Sequence, residues 1–127
     1  MSGDPQRRAW WVVAAWAVFQ LALTSLPGAA LPQLPVAFLD KVAHFGLYGV
    51  LGALVARAAT LSGWPRRRLV AAWLVVIAGG VLDELHQRFM PGRECSALDW
   101  LMDATGAAAG LWLGTLMMRS RVSLWLR

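Results

Sequence analysis

The stretch Leu69–Met90, LVAAWLVVIAGGVLDELHQRFM, decides how the rest of the chain is read. Its first fourteen residues carry no charge, and then Asp83, Glu84, His86, Gln87 and Arg88 crowd into six positions. A helix of about 20 residues crosses roughly 30 Å of hydrocarbon, so the stretch reads as a membrane span with one polar end. Three more windows fit the same length: Ala9–Leu26, Asp40–Leu61 and Leu98–Met118. Of the four, only Ala9–Leu26 is free of charge throughout. With 58% hydrophobic residues in 127 and a mean hydropathy of +0.53, the chain is too apolar for a soluble domain of this size. The connections SGWPRRR and PGRECSA are short, which makes helices adjacent in sequence antiparallel. The expected fold is an all-α membrane protein, a compact bundle of four transmembrane helices forming a single domain over residues 1–127. The opening MSGDPQRRAWWVVAAWAVF resembles a signal peptide, but its apolar run is 18 residues, longer than an ordinary h-region, so a retained first helix is expected.

Charge sets the expected orientation. With four spans, the N-terminus, the second loop and the C-terminus share one side. They hold Arg7, Arg8, Arg57, Arg66, Arg67, Arg68, Arg119, Arg121 and Arg127, nine of the twelve basic residues. The positive-inside rule then makes both termini cytoplasmic. Six of the seven acids lie toward the opposite end: Asp40, Asp83, Glu84, Glu94, Asp99 and Asp103. Basic groups scattered at helix ends suit anionic lipid headgroups, so the net charge of +5 does not indicate nucleic-acid binding. Trp10, Trp11, Trp64 and Trp125 fit a cytoplasmic aromatic belt and Trp100 an outer one. Cys95 is the only cysteine, so the chain has no intramolecular disulfide.

The polar residues recur at helical spacing. Asp40, His44 and Tyr48 are four apart, as are Asp83 and Gln87, with Glu84 beside them, and Asp99 and Asp103. All fall toward the acidic end, where they can converge. Buried carboxylates in a span are costly and face the bundle interior or water. Asp40 and Asp99 sit at helix N-termini, where negative charge is favoured, whereas Asp83 and Glu84 sit near a C-terminus, where it is not. Arg93, Arg88, Lys41, a protonated His44 or a bound cation are the candidates to offset them. Glu84 or Asp83 with His44 makes an acid/base pair, and the oxygen-rich set with one imidazole suits a hard or borderline divalent ion. Cys95 or Ser96 near His44 is a weaker nucleophilic alternative. Arg93, carried back over the cluster by the Pro91–Gly92 turn, suits a phosphate or carboxylate. Gly106, Gly110 and Gly114, and Gly46, Gly49 and Gly52, read as small-residue stripes for close helix packing. Gly79 and Gly80 read as a loosening of the third helix before its polar end.

DKVAHFGLYGVLG followed by DELHQRFMPGRECSALDWLMDATGAAAG resembles the VanZ-like family over about Leu39 to Gly114. The shared pattern is an acid-Lys with a nearby His-Phe and Tyr, then Asp-Glu-x-x-Gln, Pro-Gly-Arg, and an Asp followed by spaced glycines. The resemblance carries over Asp40, Lys41, His44, Tyr48, Asp83, Glu84, Gln87, Arg93 and Asp99. The family commonly has Asn at the position of Asp103. It implies a small polytopic protein of the bacterial cytoplasmic membrane, in a family whose namesake is associated with reduced susceptibility to the glycopeptide teicoplanin.

Three functional classes stay open. The first is an envelope protein binding a phosphate- or carboxylate-bearing lipid, a lipid-linked cell-wall precursor or a glycopeptide at the outer leaflet. Its ligand-binding set is Arg93, Gln87, Asp40, Lys41, Tyr48, Asp99 and Asp103. The second is an intramembrane enzyme with Glu84, His44 and Asp83 as the catalytic candidates, with or without a divalent cation. The third is a structural or partner-binding bundle. Membrane lipids are the expected partners, and there is room for a homo-oligomer.

Overall fold

The computed structural model describes residues 4–31 and 37–125, with side chains after the first gap from 38 to 119. Four helices follow one another: α1 (Pro5–Thr24), α2 (Ala37–Leu61), α3 (Arg66–Gln87) and α4 (Ala97–Trp125), with a short 3-10 turn at Gly28–Ala30. Three helices begin three or four residues earlier than hydropathy suggests: α1 and α3 open on turns that carry arginines, and α2 adds Ala37, Phe38 and Leu39 ahead of Asp40. Asp4 caps α1 by accepting the Gln6 N–H at 3.0 Å, and Pro5 sits where its missing N–H costs nothing. Arg66, Arg67 and Arg68 form the first turn of α3 directly after Pro65. α3 ends at Gln87 rather than Met90, and α4 continues past Met118 to Trp125.

Between α2 and α3 the chain turns on Gly63, at φ +64°. There the Trp64 N–H donates to Ala59 O at 2.9 Å and the Gly63 N–H to Thr60 O at 3.1 Å, the Schellman arrangement that stops a helix on a left-handed residue. Gly92, at φ +72°, lies in a separate tight turn between α3 and α4, closed by the Arg93 N–H donating to Met90 O at 3.1 Å.

The closest pair is α2 with α4, separated in sequence by the whole of α3; α1 lies against α2, α3 against α4, and α1 barely touches α3. Both α2 and α4 start at the acidic end, so this central pair is parallel, while each is antiparallel to α3. Their approach is backbone to backbone: a Cβ on Gly110 would strike Gly49 O and Ala53 N, and one on Gly106 would strike Phe45 O. Gly52 fits against Ala107 O in the same way. Gly46 meets nothing, so the stripe on α2 is Gly49 and Gly52 rather than three glycines. α3 runs unbroken through Gly79 and Gly80.

The interior is small, with Tyr48, Leu51, Val55 and Ala107 as its core, and large apolar side chains point outward. Val75 is 71% exposed, Leu82 68% and Phe89 79%. α2 and α3 are both long and apolar enough to cross a membrane, and only 11% of the apolar stretch of α3 is buried against 44% of that of α2. An apolar helix this exposed is unfavourable in water and ordinary in lipid. Trp10 and Trp64 pack together with ring centroids 4.8 Å apart, and the Trp10 indole N–H donates to Ser62 Oγ at 3.0 Å. The half-buried Trp100 donates to Ile77 O at 3.3 Å, tying α4 to α3. Arg127 and the side chains of Arg121 and Trp125 lie outside the described residues.

Candidate functional site

Helical phase chooses which polar groups turn inward. On α2 the inward face is Lys41, His44 and Tyr48, while Asp40 points outward with half its side chain exposed. On α3 it is Glu84 and Gln87, and on α4 Asp99 and Asp103. These three faces meet at the acidic end of the bundle.

At the centre, His44 Nδ1 lies 2.9 Å from Asp103 Oδ1 and 3.8 Å from Glu84 Oε1. Asp103 is wholly buried, Glu84 is 3% exposed and His44 8%. The Ser96 N–H donates to Glu84 Oε2 at 2.9 Å, fixing one oxygen of that carboxylate. Ser96 Oγ in turn accepts the Asp99 N–H at 3.3 Å and so caps α4. One turn nearer the surface, Lys41 Nζ pairs with Asp99 Oδ1 and lies 3.2 Å from Asp40 Oδ2. The half-buried Arg93 donates from Nη2 to Gln87 Oε1 at 2.6 Å. Its position beside α3 follows from the left-handed Gly92 and a bond from the Arg93 N–H to Met90 O at 3.1 Å.

Asp83 is apart from this set. Lying one residue before Glu84, it faces α1, where Thr24 Oγ1 donates to its Oδ1 at 2.6 Å. Beside it, Ser25 Oγ and His86 Nε2 are 3.1 Å apart. The acid that joins Glu84 at His44 is therefore Asp103. Asp83 belongs to a second polar cluster that pins α1 to α3. Thr24→Val should leave half-buried Asp83 short of a donor and lower stability by about 1–2 kcal/mol, read from thermal unfolding in detergent.

A groove of about 840 Å³ opens between α1 and α3, floored by α2. Its walls are apolar, with Leu21, Leu51, Val55 and Val76 among them, and Gln20, Asp83 and His86 line its acidic end. Gln20 is 5% exposed, and its Oε1 has no hydrogen-bond partner among the described residues.

Sequence reading passed over Gln20, Thr24, Ser25 and His86 as site residues, and it weighed Ser96 only as a nucleophile. Ser96 had a usable signal, a Ser-x-x-Asp pattern directly before an apolar run, which marks a helix N-terminus. The polar residues of α1 and His86 have no comparable signature, because their partners lie about 60 positions away.

As chemistry, the centre holds an imidazole between two carboxylates, with cationic side chains at its rim. Such a set can hold or move a proton, ligate a cation, or lock three helices together. No curated protein and no solved structure matches the chain significantly. A family model does, over residues 5–118, reaching from the first turn of α1 to well past the middle of α4 and enclosing both polar clusters. The chain belongs to the VanZ/LLP1 family.

Proposed function

We propose that this chain is a multi-pass protein of the bacterial cytoplasmic membrane that binds a phosphate- or carboxylate-bearing amphiphile at the outer leaflet. All four helices span, both termini are cytoplasmic, and the acidic end faces out. The distribution of the arginines supports this orientation. The observation that carries the ligand reading is the groove between α1 and α3. It is apolar along its length and ends at Asp83 and His86, and Gln87, the partner of Arg93, follows directly after His86 in α3. Lipid chains suit the walls, and a headgroup oxygen suits the Arg93 fork. A lipid-linked cell-wall precursor has the same chemistry, and binding one would connect the protein with teicoplanin susceptibility.

A second reading, an intramembrane acid/base enzyme, draws on the contact of His44 with Asp103 and the nearness of Glu84. Glu84→Gln keeps the size of the side chain and removes its acid/base capacity. A folded and fully active Glu84→Gln protein would end this reading.

The ligand reading is tested by thermal unfolding of the detergent-purified chain, in EDTA, with anionic phospholipids or lipid-linked wall precursors added. A ligand at a hundredfold excess over its Kd should stabilise the wild type by about 2.7 kcal/mol. Arg93→Ala should abolish that gain while unfolding near the wild-type temperature by itself. No stabilisation by any of these, together with a large loss from Arg93→Ala alone, would mean that the polar end is a structural network.

A further inference from the structure

We infer that His44, Glu84 and Asp103 form a binding site for one borderline divalent cation of the Zn²⁺ or Mn²⁺ class, enclosed by α2, α3 and α4. The inference does not depend on the amphiphile reading. Each of the three residues offers a ligand atom, and these atoms all lie within 4.8 Å of one another. Donors around one ion sit about 3–3.5 Å apart when each bond is about 2 Å, close to the 2.9 Å and 3.8 Å found from His44 Nδ1.

The second observation is where the remaining lone pairs are. Glu84 Oε1 and Asp103 Oδ2 are buried and have no hydrogen-bond partner among the described residues. The sister oxygen of Glu84 is held from outside the cluster, Oε2 accepting the Ser96 N–H, whereas Asp103 Oδ1 meets His44 Nδ1 itself, a contact between two ligand groups that an ion seated between them would replace. One oxygen anchored by an outer contact and one left free, as in Glu84, is how a carboxylate is oriented toward a metal. Gly80 keeps space beside the free oxygen of Asp103: even a Cβ there would lie 3.5 Å from Oδ2.

Nearby cationic side chains do not fill the role. Lys41 is held by Asp99 and Asp40, and Arg93 by Gln87. A single Nδ1–H serves only one of the two carboxylates, and Glu84 Oε1 is beyond its hydrogen-bond reach. A divalent cation with a neutral imidazole balances both acids at once, which matters because uncompensated charge in a membrane interior is costly. One imidazole nitrogen with two carboxylate oxygens and no thiolate favours Zn²⁺ or Mn²⁺ over Mg²⁺ or Ca²⁺, which prefer all-oxygen sets. Three protein ligands also leave coordination positions open, as in metal sites that accept a further ligand.

The test is equilibrium dialysis of the chelator-stripped, detergent-purified full chain against Zn²⁺ or Mn²⁺ with excess Mg²⁺, read by elemental analysis. The expected result is one ion per chain. Asp103→Asn and Glu84→Gln should each weaken binding at least about 100-fold, and Asp40→Asn should bind as wild type does. Circular dichroism and size exclusion check the fold of each variant. If the two carboxamide variants do not fold, pulsed electron paramagnetic resonance of wild type with Mn²⁺ decides, and a histidine nitrogen coupled to the metal is expected. No stoichiometric ion in wild type, no nitrogen coupling, or binding lost in Asp40→Asn but kept in Asp103→Asn would each overturn the proposal.

Discussion

Gly110→Ala is expected to destabilise the bundle by at least about 3 kcal/mol, the upper part of the range for forcing extra volume into a packed interior. The added methyl would meet Gly49 O and Ala53 N, both backbone atoms on α2, so no side-chain rotation can make room. α2 and α4 would have to separate. That would also draw His44 away from Asp103 and Lys41 away from Asp99, since both contacts cross the same seam. Gly46→Ala and Gly79→Ala supply the contrast. Neither meets an atom within 4 Å, and both lie inside helices. Each should be neutral or stabilising by up to about 1 kcal/mol, through lower entropy of the unfolded chain. Tryptophan fluorescence during denaturation in mixed micelles reads all three. If Gly110→Ala unfolds at the wild-type midpoint, the two backbones do not approach as described.

Lys41→Met should be the next most damaging change, at about 3 kcal/mol. That is the lower end of the cost of stripping one partner from a buried ion pair, because Lys41 keeps about a fifth of its side chain exposed. The loss comes from the carboxylate left behind: Asp99 is 5% exposed and has no other cationic side chain in contact among the described residues. Adding Asp99→Asn removes that stranded charge, so the double variant should recover most of the stability. Asp40→Asn, on the outward side of the same lysine, should change stability by less than about 0.5 kcal/mol. The same denaturation assay reads the cycle. If the double variant is no better than Lys41→Met alone, the pair is not coupled and Lys41 acts by packing.

How much of the site was legible turns on one property of helices. Spacing of four residues placed Asp40, His44 and Tyr48, Asp83 and Gln87, and Asp99 and Asp103 on stripes at one end of the bundle, with Lys41 and Glu84 as their neighbours in sequence. Composition cannot say which of two adjacent polar residues faces in, because neighbours on a helix point about 100° apart. Asp83 and Glu84 are such a pair, and so are Asp40 and Lys41. The sequence could not separate either pair; packing put Glu84 and Lys41 inside, with Asp83 against α1 and Asp40 outside. Asp103 is the most buried side chain of the cluster.

By itself the sequence determined the four helices, the short turns, the acidic end and the glycine stripe of α4. These follow from apolar length, left-handed glycines and residue periodicity, all local properties. Tertiary structure decided that α2 and α4, far apart in the chain, form the tight parallel pair. It also decided that His44 meets Glu84 and Asp103 rather than Asp83, and that α1 stands off α3 to leave a groove. Those outcomes depend on how each helix is rotated about its axis against its neighbours, and that rotation is fixed only when backbones and side chains from distant segments meet.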